Sequence, residues 1–134
     1  MNAGMDGMAK KVLLIDDDPL VGGTVLNILK RQGYQVEAVL SGPEALERVY
    51  EESYDLIISD IRMPGMNGIQ AIEAIQEYHR TSGRVCGFMF ITGYAEENSP
   101  QNTIRIGVSD ILMKPLDAQE FLQSVKKNIS LPQN

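Results

Sequence analysis

The chain has little of what defines several common classes of protein. One cysteine among 134 residues cannot form an internal disulfide, which favours a cytoplasmic setting. One histidine and one cysteine are too few to complete the usual ligand set of a zinc site. No apolar run approaches the length that spans a bilayer, so a membrane-embedded protein is not expected.

Clusters of positive charge are also missing. The twelve lysine and arginine residues never form more than adjacent pairs, and the formal net charge is −6. Nucleic acids and anionic membrane surfaces attract dense basic patches, so direct binding of either is not expected. The length and the 43% hydrophobic content are ordinary for one globular domain with its own core.

Five apolar runs alternate with helical patterns along the chain. We predict strands over about 11–16, 35–39, 55–60, 86–92 and 108–114. Such alternation is typical of α/β folds with a parallel sheet, and continuous apolar runs indicate that both faces of the sheet are covered. The expected fold is a three-layer, doubly wound five-stranded parallel sheet of the flavodoxin-like type, with strand order 2-1-3-4-5.

Helix starts and the domain limits can also be predicted. Capping residues mark the starts of four predicted helices: Asp18, Ser41, Asn67 and Asp117. One further short helix is predicted over about 100–106, after a long, acidic loop that begins at Gly93. The domain is expected to cover 10–130, between a disordered leader over 1–9 and a tail over 131–134.

Charged residues follow three of the predicted strands. Asp16, Asp17 and Asp18 come after the first strand, Asp60 ends the third, and Lys114 ends the fifth. Ligands of an open parallel sheet bind beyond the carboxyl ends of its strands, where these side chains would meet. Crowded carboxylates raise one another's pKa unless a cation compensates. A hard divalent ion and a nearby ammonium group are the natural compensating charges.

Ordinary structural roles account for some of these and other polar residues. Asp18 is interpreted as a helix cap rather than a ligand, because Pro19 follows it. Cys86 lies in an apolar run, so we expect a buried and inert thiol. His79 is expected to be exposed and uninvolved. A solvated surface role for Lys114 is disfavoured, since it ends an apolar strand beside acids.

The chain resembles the receiver domains of bacterial two-component response regulators from about 10 to 129. The resemblance depends on several short motifs that occur in order on the expected strands. They are the acidic pair Asp16-Asp17, Asp60 with the turn Met63-Pro64-Gly65-Met66-Asn67-Gly68, Thr92, and Lys114-Pro115. Each motif alone is weak, but together they are specific.

The resemblance implies that Asp60 accepts a phosphoryl group from a sensor histidine kinase or a phosphotransfer protein, forming an aspartyl phosphate. Lys114 would pair with Asp60 at rest and with phosphoryl oxygens afterwards, and the hydroxyl of Thr92 would donate to a phosphoryl oxygen. The implied role is phosphorelay signal transduction. The domain would be a phosphoacceptor that assists its own phosphorylation and dephosphorylation, not an enzyme acting on a separate substrate.

The resemblance also implies a Mg²⁺ cofactor. Asp17, Asp60 and the backbone carbonyl of Arg62 would bind the ion directly, and Asp16 would act through a water. Phosphoryl transfer leaves the protein little covalent chemistry, so positioning and neutralisation of charge would supply most of the rate.

The chain departs from the family pattern at Ile111, three positions before Lys114. Receivers often have an aromatic residue there that moves inward on phosphorylation, so switching coupled to Thr92 is not expected in its usual form. We expect the segment 93–106 to provide the conformational response instead. The 99–130 face is the predicted surface for a homodimer.

Two other functions fit part of the pattern. A metal-dependent aspartyl phosphatase would use acids spaced like Asp16 and Asp18, but the connections leave no room for a substrate cap and Asp60 would be unexplained. A degenerate receiver could act only as a protein-binding scaffold, although the intact acids and lysine argue against that. The output and the cognate kinase cannot be inferred from the sequence.

Overall fold

Five parallel strands form one sheet in the computed structural model, which describes residues 9–93, 106–108 and 110–130. The strands are β1 (Lys11–Ile15), β2 (Gln35–Val39), β3 (Leu56–Asp60), β4 (Gly87–Thr92) and β5 (Ile111–Met113). Their order is β2-β1-β3-β4-β5, which confirms the predicted flavodoxin-like topology. The fifth strand is shorter than predicted, because only its three residues pair with β4 at the edge of the sheet.

Helices cover both faces of the sheet. Those in the described ranges are α1 (Pro19–Arg31), α2 (Gly42–Glu51), α3 (Gly68–Ser82) and α4 (Ala118–Ser130). None of these four is long and apolar enough to cross a membrane. Several predicted segments lie outside the described residues. They are the leader up to residue 8, the acidic loop after Gly93, the short helix over 100–106 except its last residue, and the tail over 131–134.

Alternate residues of the central strands pack on opposite faces of the sheet. In β1, Val12 and Leu14 contact the core formed with α1 and α4, whereas Leu13 and Ile15 contact the core formed with α2 and α3. All four side chains are fully buried. A one-residue shift of register would move each side chain into the opposite core and disturb its packing, so the two cores hold the strand ends at fixed heights.

The four predicted helix caps are confirmed. Each capping side chain accepts a hydrogen bond from a backbone amide in the first turn of its helix: Asp18, Ser41, Asn67 and Asp117. For Asp18, the carboxylate accepts from the amide of Leu20 at 3.0 Å. This bond satisfies a donor that the helix itself cannot pair, so Asp18 stabilises the start of α1.

Gly22 and Gly23 lie in the interior of α1, where glycine is unfavourable. A Cβ added to Gly23 would meet no atom within 4 Å, and Gly23 lacks the positive φ that favours glycine. Glycine costs about 1 kcal/mol relative to alanine inside a helix. We therefore expect Gly23→Ala to raise the free energy of unfolding in urea by about 1 kcal/mol. An unchanged midpoint would show that helix propensity does not limit stability at this position.

The prediction that His79 is exposed is wrong, because its side chain is 3% exposed. His79 lies on the inner stripe of α3, three and seven positions after Gln76 and Ile72, which are also buried. Its Nδ1 is 3.9 Å from the Sγ atom of Cys86, and its ring packs against Phe88 at 6.0 Å between centroids. The predicted burial of Cys86 is confirmed, and burial raises the pKa of its thiol.

Mild acid is expected to destabilise the domain through His79. Burial, with a smaller contribution from the nearby charge of Arg84, lowers the pKa of His79 below its usual value of 6.5. The unfolded chain therefore binds the proton more readily than the folded domain, so stability falls as the pH drops through the unfolded pKa. We expect a loss of about 1 kcal/mol between about pH 7.5 and 5.5, measured by urea denaturation.

The matched variant for this experiment is His79→Gln. It should show a flatter dependence on pH, since the sequence has only one histidine. Carboxyl groups such as Asp16 titrate in both proteins and cancel in the comparison. Parallel curves for the two proteins would contradict the assignment to His79.

Candidate functional site

The carboxyl ends of three strands bring together residues that are far apart in the sequence. β1 and β3 are neighbours, with Ile15 opposite Ser59, so Asp16 and Asp60 leave the sheet at the same height. From β1 the chain passes to β2, its neighbour on one side in the sheet, and then to β3, its neighbour on the other side. The carboxyl ends of β1 and β3 therefore lie at the topological switch point of the sheet. Lys114 directly follows β5.

Lys114 is bound by two acids from different strands. Its Nζ atom lies 2.8 Å from Asp60 Oδ2 and 3.1 Å from Asp16 Oδ2. Asp60 is 5% exposed and Asp16 2%, whereas the lysine side chain is 21% exposed. The ammonium group therefore contacts two buried carboxylates, while the lysine side chain is still partly open to solvent.

Two buried carboxylates contact one ammonium group, so negative charge is in excess at this edge of the sheet. Burial raises the pKa of Asp16, although the amide of Asp18 and the ammonium of Lys114 oppose this. Burial alone would lower the pKa of Lys114, but its close contacts with the carboxylates of Asp60 and Asp16 outweigh that effect and raise it. The charged form of Lys114 is thus stabilised at this site, whereas burial disfavours the charged form of Asp16.

Asp16 has one oxygen whose hydrogen-bonding capacity is unused. Its Oδ1 accepts from the amide of Asp18 at 2.9 Å. Its Oδ2 lies within ion-pair distance of Lys114 Nζ, yet no donor in the described residues is aligned to hydrogen-bond it. A buried carboxylate oxygen in this condition usually has a further partner, such as a cation or an ordered water.

The acids also form a set that suits a hard cation. One carboxylate oxygen from each of Asp16, Asp17 and Asp60 lies within 4.8 Å of the others. Asp17 is exposed, so the cluster opens on solvent. All the side-chain donors are oxygens, as Mg²⁺ prefers. Together with the unsatisfied oxygen of Asp16, this arrangement fits a divalent ion.

The β3–α3 loop (residues 61–67) is fixed against Asp60. The amide of Arg62 donates to Asp60 Oδ1 at 3.3 Å, and the amide of Gly68 donates to the carbonyl of Ile61 at 2.8 Å. A Cβ added to Gly68 would lie 1.9 Å from the carbonyl oxygen of Asp60, which no side chain could tolerate. The absence of a side chain at Gly68 therefore lets the loop close on the strand end.

Thr92 lies at the same edge, at the end of β4. It is fully buried, and it comes one position after Ile91, the partner of Asp60 in the sheet. Its carbonyl accepts from the amide of Lys114 at 2.9 Å. The main chain thus connects Thr92 to the lysine that contacts both acids.

Two contributors to this edge were missed by sequence reasoning. Asp18 was expected only as a cap, but its amide also binds Asp16. An acid followed two residues later by a helix start is the signal that could have indicated this turn. For the close approach of Gly68 to Asp60, the glycine itself is the only indication in the local sequence.

Comparison with known proteins identifies the family. The model of the response regulator receiver domain matches residues 12–126. The chain belongs to the response regulator receiver domain family. The predicted family and its function, that of a receiver domain in phosphorelay signalling, are therefore confirmed.

Receiver domains similar to this one occur in a transcriptional regulatory protein and in a sensor protein. It is 32% identical over 120 residues to the transcriptional regulatory protein CrdR of Helicobacter pylori, covering 90% of this chain and 55% of CrdR. It is 32% identical over 124 residues to the sensor protein GacS of Pseudomonas syringae, covering 92% of this chain and 14% of GacS. The receiver domain thus spans only part of each of these relatives.

A solved structure gives a similar result. The response regulator protein TrrA of Thermotoga maritima, crystallised in complex with Mg²⁺ and BeF, superposes with a TM-score of 0.76 at 26% identity. The match covers 88% of this receiver domain and 97% of TrrA. The similarity therefore extends over nearly the whole fold.

Proposed function

We propose that this receiver domain accepts a phosphoryl group on Asp60 in a Mg²⁺-dependent reaction. The main support is the position of the Asp60 carboxylate, which Lys114 Nζ contacts at 2.8 Å beside the unsatisfied oxygen of Asp16. The cleft around it is open, and a donor can approach from solvent. It is lined by Asp17, Asp18, Asp60, Arg62, Met63, Pro64 and Lys114.

The donor would be a phosphohistidine on a sensor histidine kinase or a phosphotransfer protein. The similarity to part of the sensor protein GacS supports such a partner. A carboxylate oxygen of Asp60 would attack the phosphorus atom while the bond from phosphorus to the imidazole nitrogen breaks on the opposite side, and that electron pair stays with the imidazole. In this reaction the domain itself accepts the phosphoryl group, so it does not act as an enzyme on a separate substrate.

Each neighbouring residue would have one task. Lys114 would pass from the Asp60 carboxylate to a phosphoryl oxygen, and the Thr92 hydroxyl would donate to another. Asp17, Asp60 and the Arg62 carbonyl would hold Mg²⁺, with Asp16 acting through a water. When bound, the ion would neutralise charge on the acids and on the incoming phosphoryl oxygens. The Mg²⁺–BeF complex of TrrA supports this choice of ion.

A partner would recognise the phosphorylated state at the surface that includes α4. Ile111 packs against the core on the side of α2 and α3, so an inward-swinging aromatic ring is replaced by an aliphatic side chain that is already partly buried. We infer that the segment 93–106 provides the conformational response and that the 99–130 face contacts an output partner or a second copy. A cytoplasmic location agrees with the single buried cysteine.

Labelling with a small phosphodonor tests the proposal. Incubation with Mg²⁺ and acetyl phosphate should add the mass of one phosphoryl group to the intact protein, and gel filtration of the labelled protein tests for a dimer. No addition in the presence of Mg²⁺ would favour a scaffold function. Addition that is unaffected by a chelator would contradict the requirement for the metal.

Binding of Mg²⁺ should stabilise the folded domain and should require Asp17. At a free concentration ten times its Kd, the ion is expected to raise the free energy of unfolding by about 1.4 kcal/mol. Asp17→Asn should lose most of this response in thermal or urea unfolding. Asp18→Asn is the matched control, because asparagine also caps helices and Asp18 is not a member of the acidic cluster. Equal responses of the two variants would contradict the assignment of Asp17.

A further inference from the structure

Gly42, the first residue of α2, lies against the β3–α3 loop. A Cβ added to it would lie 2.6 Å from Sδ and 3.0 Å from Cγ of Met66, and 3.2 Å from Cβ of Ala71 in α3. The first of these distances is far below van der Waals contact. Gly42 also lacks a positive φ, so its backbone could accommodate another residue. What position 42 requires is therefore space, not conformational freedom.

The space at Gly42 is occupied by a loop that directly contacts the acceptor. Arg62 at the start of the loop donates to Asp60 Oδ1, and Gly68 directly after the loop is pressed against the Asp60 carbonyl. Met66 lies between these two points, on the side facing α2. A loop of seven residues held at both ends has few ways to absorb a displacement in the middle.

The position of α2 is itself well fixed. The Ser41 hydroxyl accepts from the amide of Glu44 at 3.3 Å, and the carboxylate of Glu44 accepts from the amide of Leu40 at 2.8 Å. Ala45 and Val49 are fully buried against the sheet. A clash at Gly42 would thus be relieved by Met66 more readily than by movement of the helix. Rotation of the side chain relieves the contact with Sδ, whereas the contact with Cγ, closer to the main chain, acts on the loop itself.

We propose that Gly42 is a positioning residue for phosphoryl transfer to Asp60. By leaving room for Met66 it sets the position of the β3–α3 loop, and thereby the position of the Arg62 backbone beside the acceptor carboxylate. This inference rests on the proposed function. It predicts that a single methyl group at position 42 impairs both phosphoryl transfer and binding of Mg²⁺, although Gly42 touches neither reactant.

The test compares Gly42→Ala, Met66→Ala, the double variant and the parent protein. Gly42→Ala should label with acetyl phosphate about fivefold more slowly than the parent, and should bind Mg²⁺ more weakly by calorimetry, since small misplacements are costly in positioned reactions. In the Met66→Ala background the same substitution should have a much smaller effect on both quantities, because Sδ and Cγ of Met66 are gone and only the 3.2 Å contact with Cβ of Ala71 remains. A purely structural role would lower stability without such rescue.

Gly23→Ala is the matched control, since it makes the same substitution in α1 with no atom within 4 Å. It should label like the parent protein. Parental labelling and Mg²⁺ affinity in Gly42→Ala would overturn the inference, as would equal impairment of Gly42→Ala with and without Met66. If the parent itself fails to label, the proposed function fails, while the Mg²⁺ affinities still decide whether Gly42 positions the loop.

Gly42→Ala could also fail to fold. Recovery of folding in the double variant would then support the clash with Met66, and no recovery would refute it.

Discussion

Asp60→Asn is expected to abolish phosphoryl labelling while leaving the domain folded. Asparagine has the shape of aspartate but lacks the nucleophilic carboxylate oxygen, so no aspartyl phosphate can form. Asp16, another acid of the cluster, is 2% exposed and already accepts from the Asp18 amide, and Lys114 Nζ lies closer to Asp60 than to Asp16. Intact-mass measurement after incubation with Mg²⁺ and acetyl phosphate should show no addition.

The substitution should also leave a readable electrostatic signature. The charge of Asp60 contributes to the raised pKa of Asp16, after burial as the main cause. Removing it should therefore lower the pKa of Asp16 and leave Lys114 paired with Asp16 alone. Stability near neutral pH should be equal to that of the parent or higher, because the excess of buried negative charge is relieved. Undiminished labelling of a folded Asp60→Asn protein would show that another residue is the acceptor.

Lys114→Ala is expected to impair both transfer and stability. The ammonium group contacts two buried carboxylates at 2.8 and 3.1 Å. Without it, charge on the acceptor and on the developing phosphoryl group is uncompensated, and the rate of labelling should fall about 100-fold. The free energy of unfolding near pH 7 should fall by about 2 kcal/mol, which is less than the loss of about 3–5 kcal/mol for a fully buried pair because the lysine is partly exposed.

The dependence on pH distinguishes this loss from a general packing defect. The raised pKa of Lys114 means that its contribution is complete at neutral pH and is lost as the pH rises through the folded pKa. In Lys114→Ala the buried Asp16 is charged without its ammonium partner, so the deficit should shrink as the pH falls towards about 4 and this acid protonates. Urea denaturation across this range measures it. A deficit independent of pH would contradict the electrostatic explanation.

Lys127→Ala is a suitable control for the loss of a lysine from an ion pair. Its Nζ lies 2.9 Å from Asp110 Oδ1, but the lysine side chain is 54% exposed. Exposed pairs contribute at most about 1 kcal/mol, so the effect on stability should be small and labelling should be normal. The contrast between the two lysines isolates the contribution of the buried acids.

The sequence sufficed for the features that depend on local pattern. The apolar runs before Asp16 and Asp60 predicted strands, and the shared edge of a parallel sheet then predicted that these acids meet Lys114. The caps at Asp18 and Asn67 were readable because capping follows from one side chain and the next turn. Such features need only spacing along the chain.

Features that depend on packing between distant elements could not be predicted. The contact of Gly42 with Met66 joins the start of α2 to a loop beyond β3, and nothing local indicates it. His79 was misjudged because its place on the buried face of α3, seven positions after Ile72 and three after Gln76, was not recognised. The β5 boundary also differs, since pairing with β4 and not the length of the apolar run sets it.

The burial of the only histidine has a consequence for the chemical identity of any bound phosphate. His79 lies eleven residues beyond the start of α3, about 16 Å along the helix from the acceptor end. Its ring faces the core, so this domain offers no accessible imidazole on which a phosphoramidate could form. Phosphate bound to Asp60 would be an acyl phosphate, which hydroxylamine removes and borohydride reduces, and it can thus be told apart from phosphohistidine. Phosphohistidine in a labelled mixture would identify the donor protein.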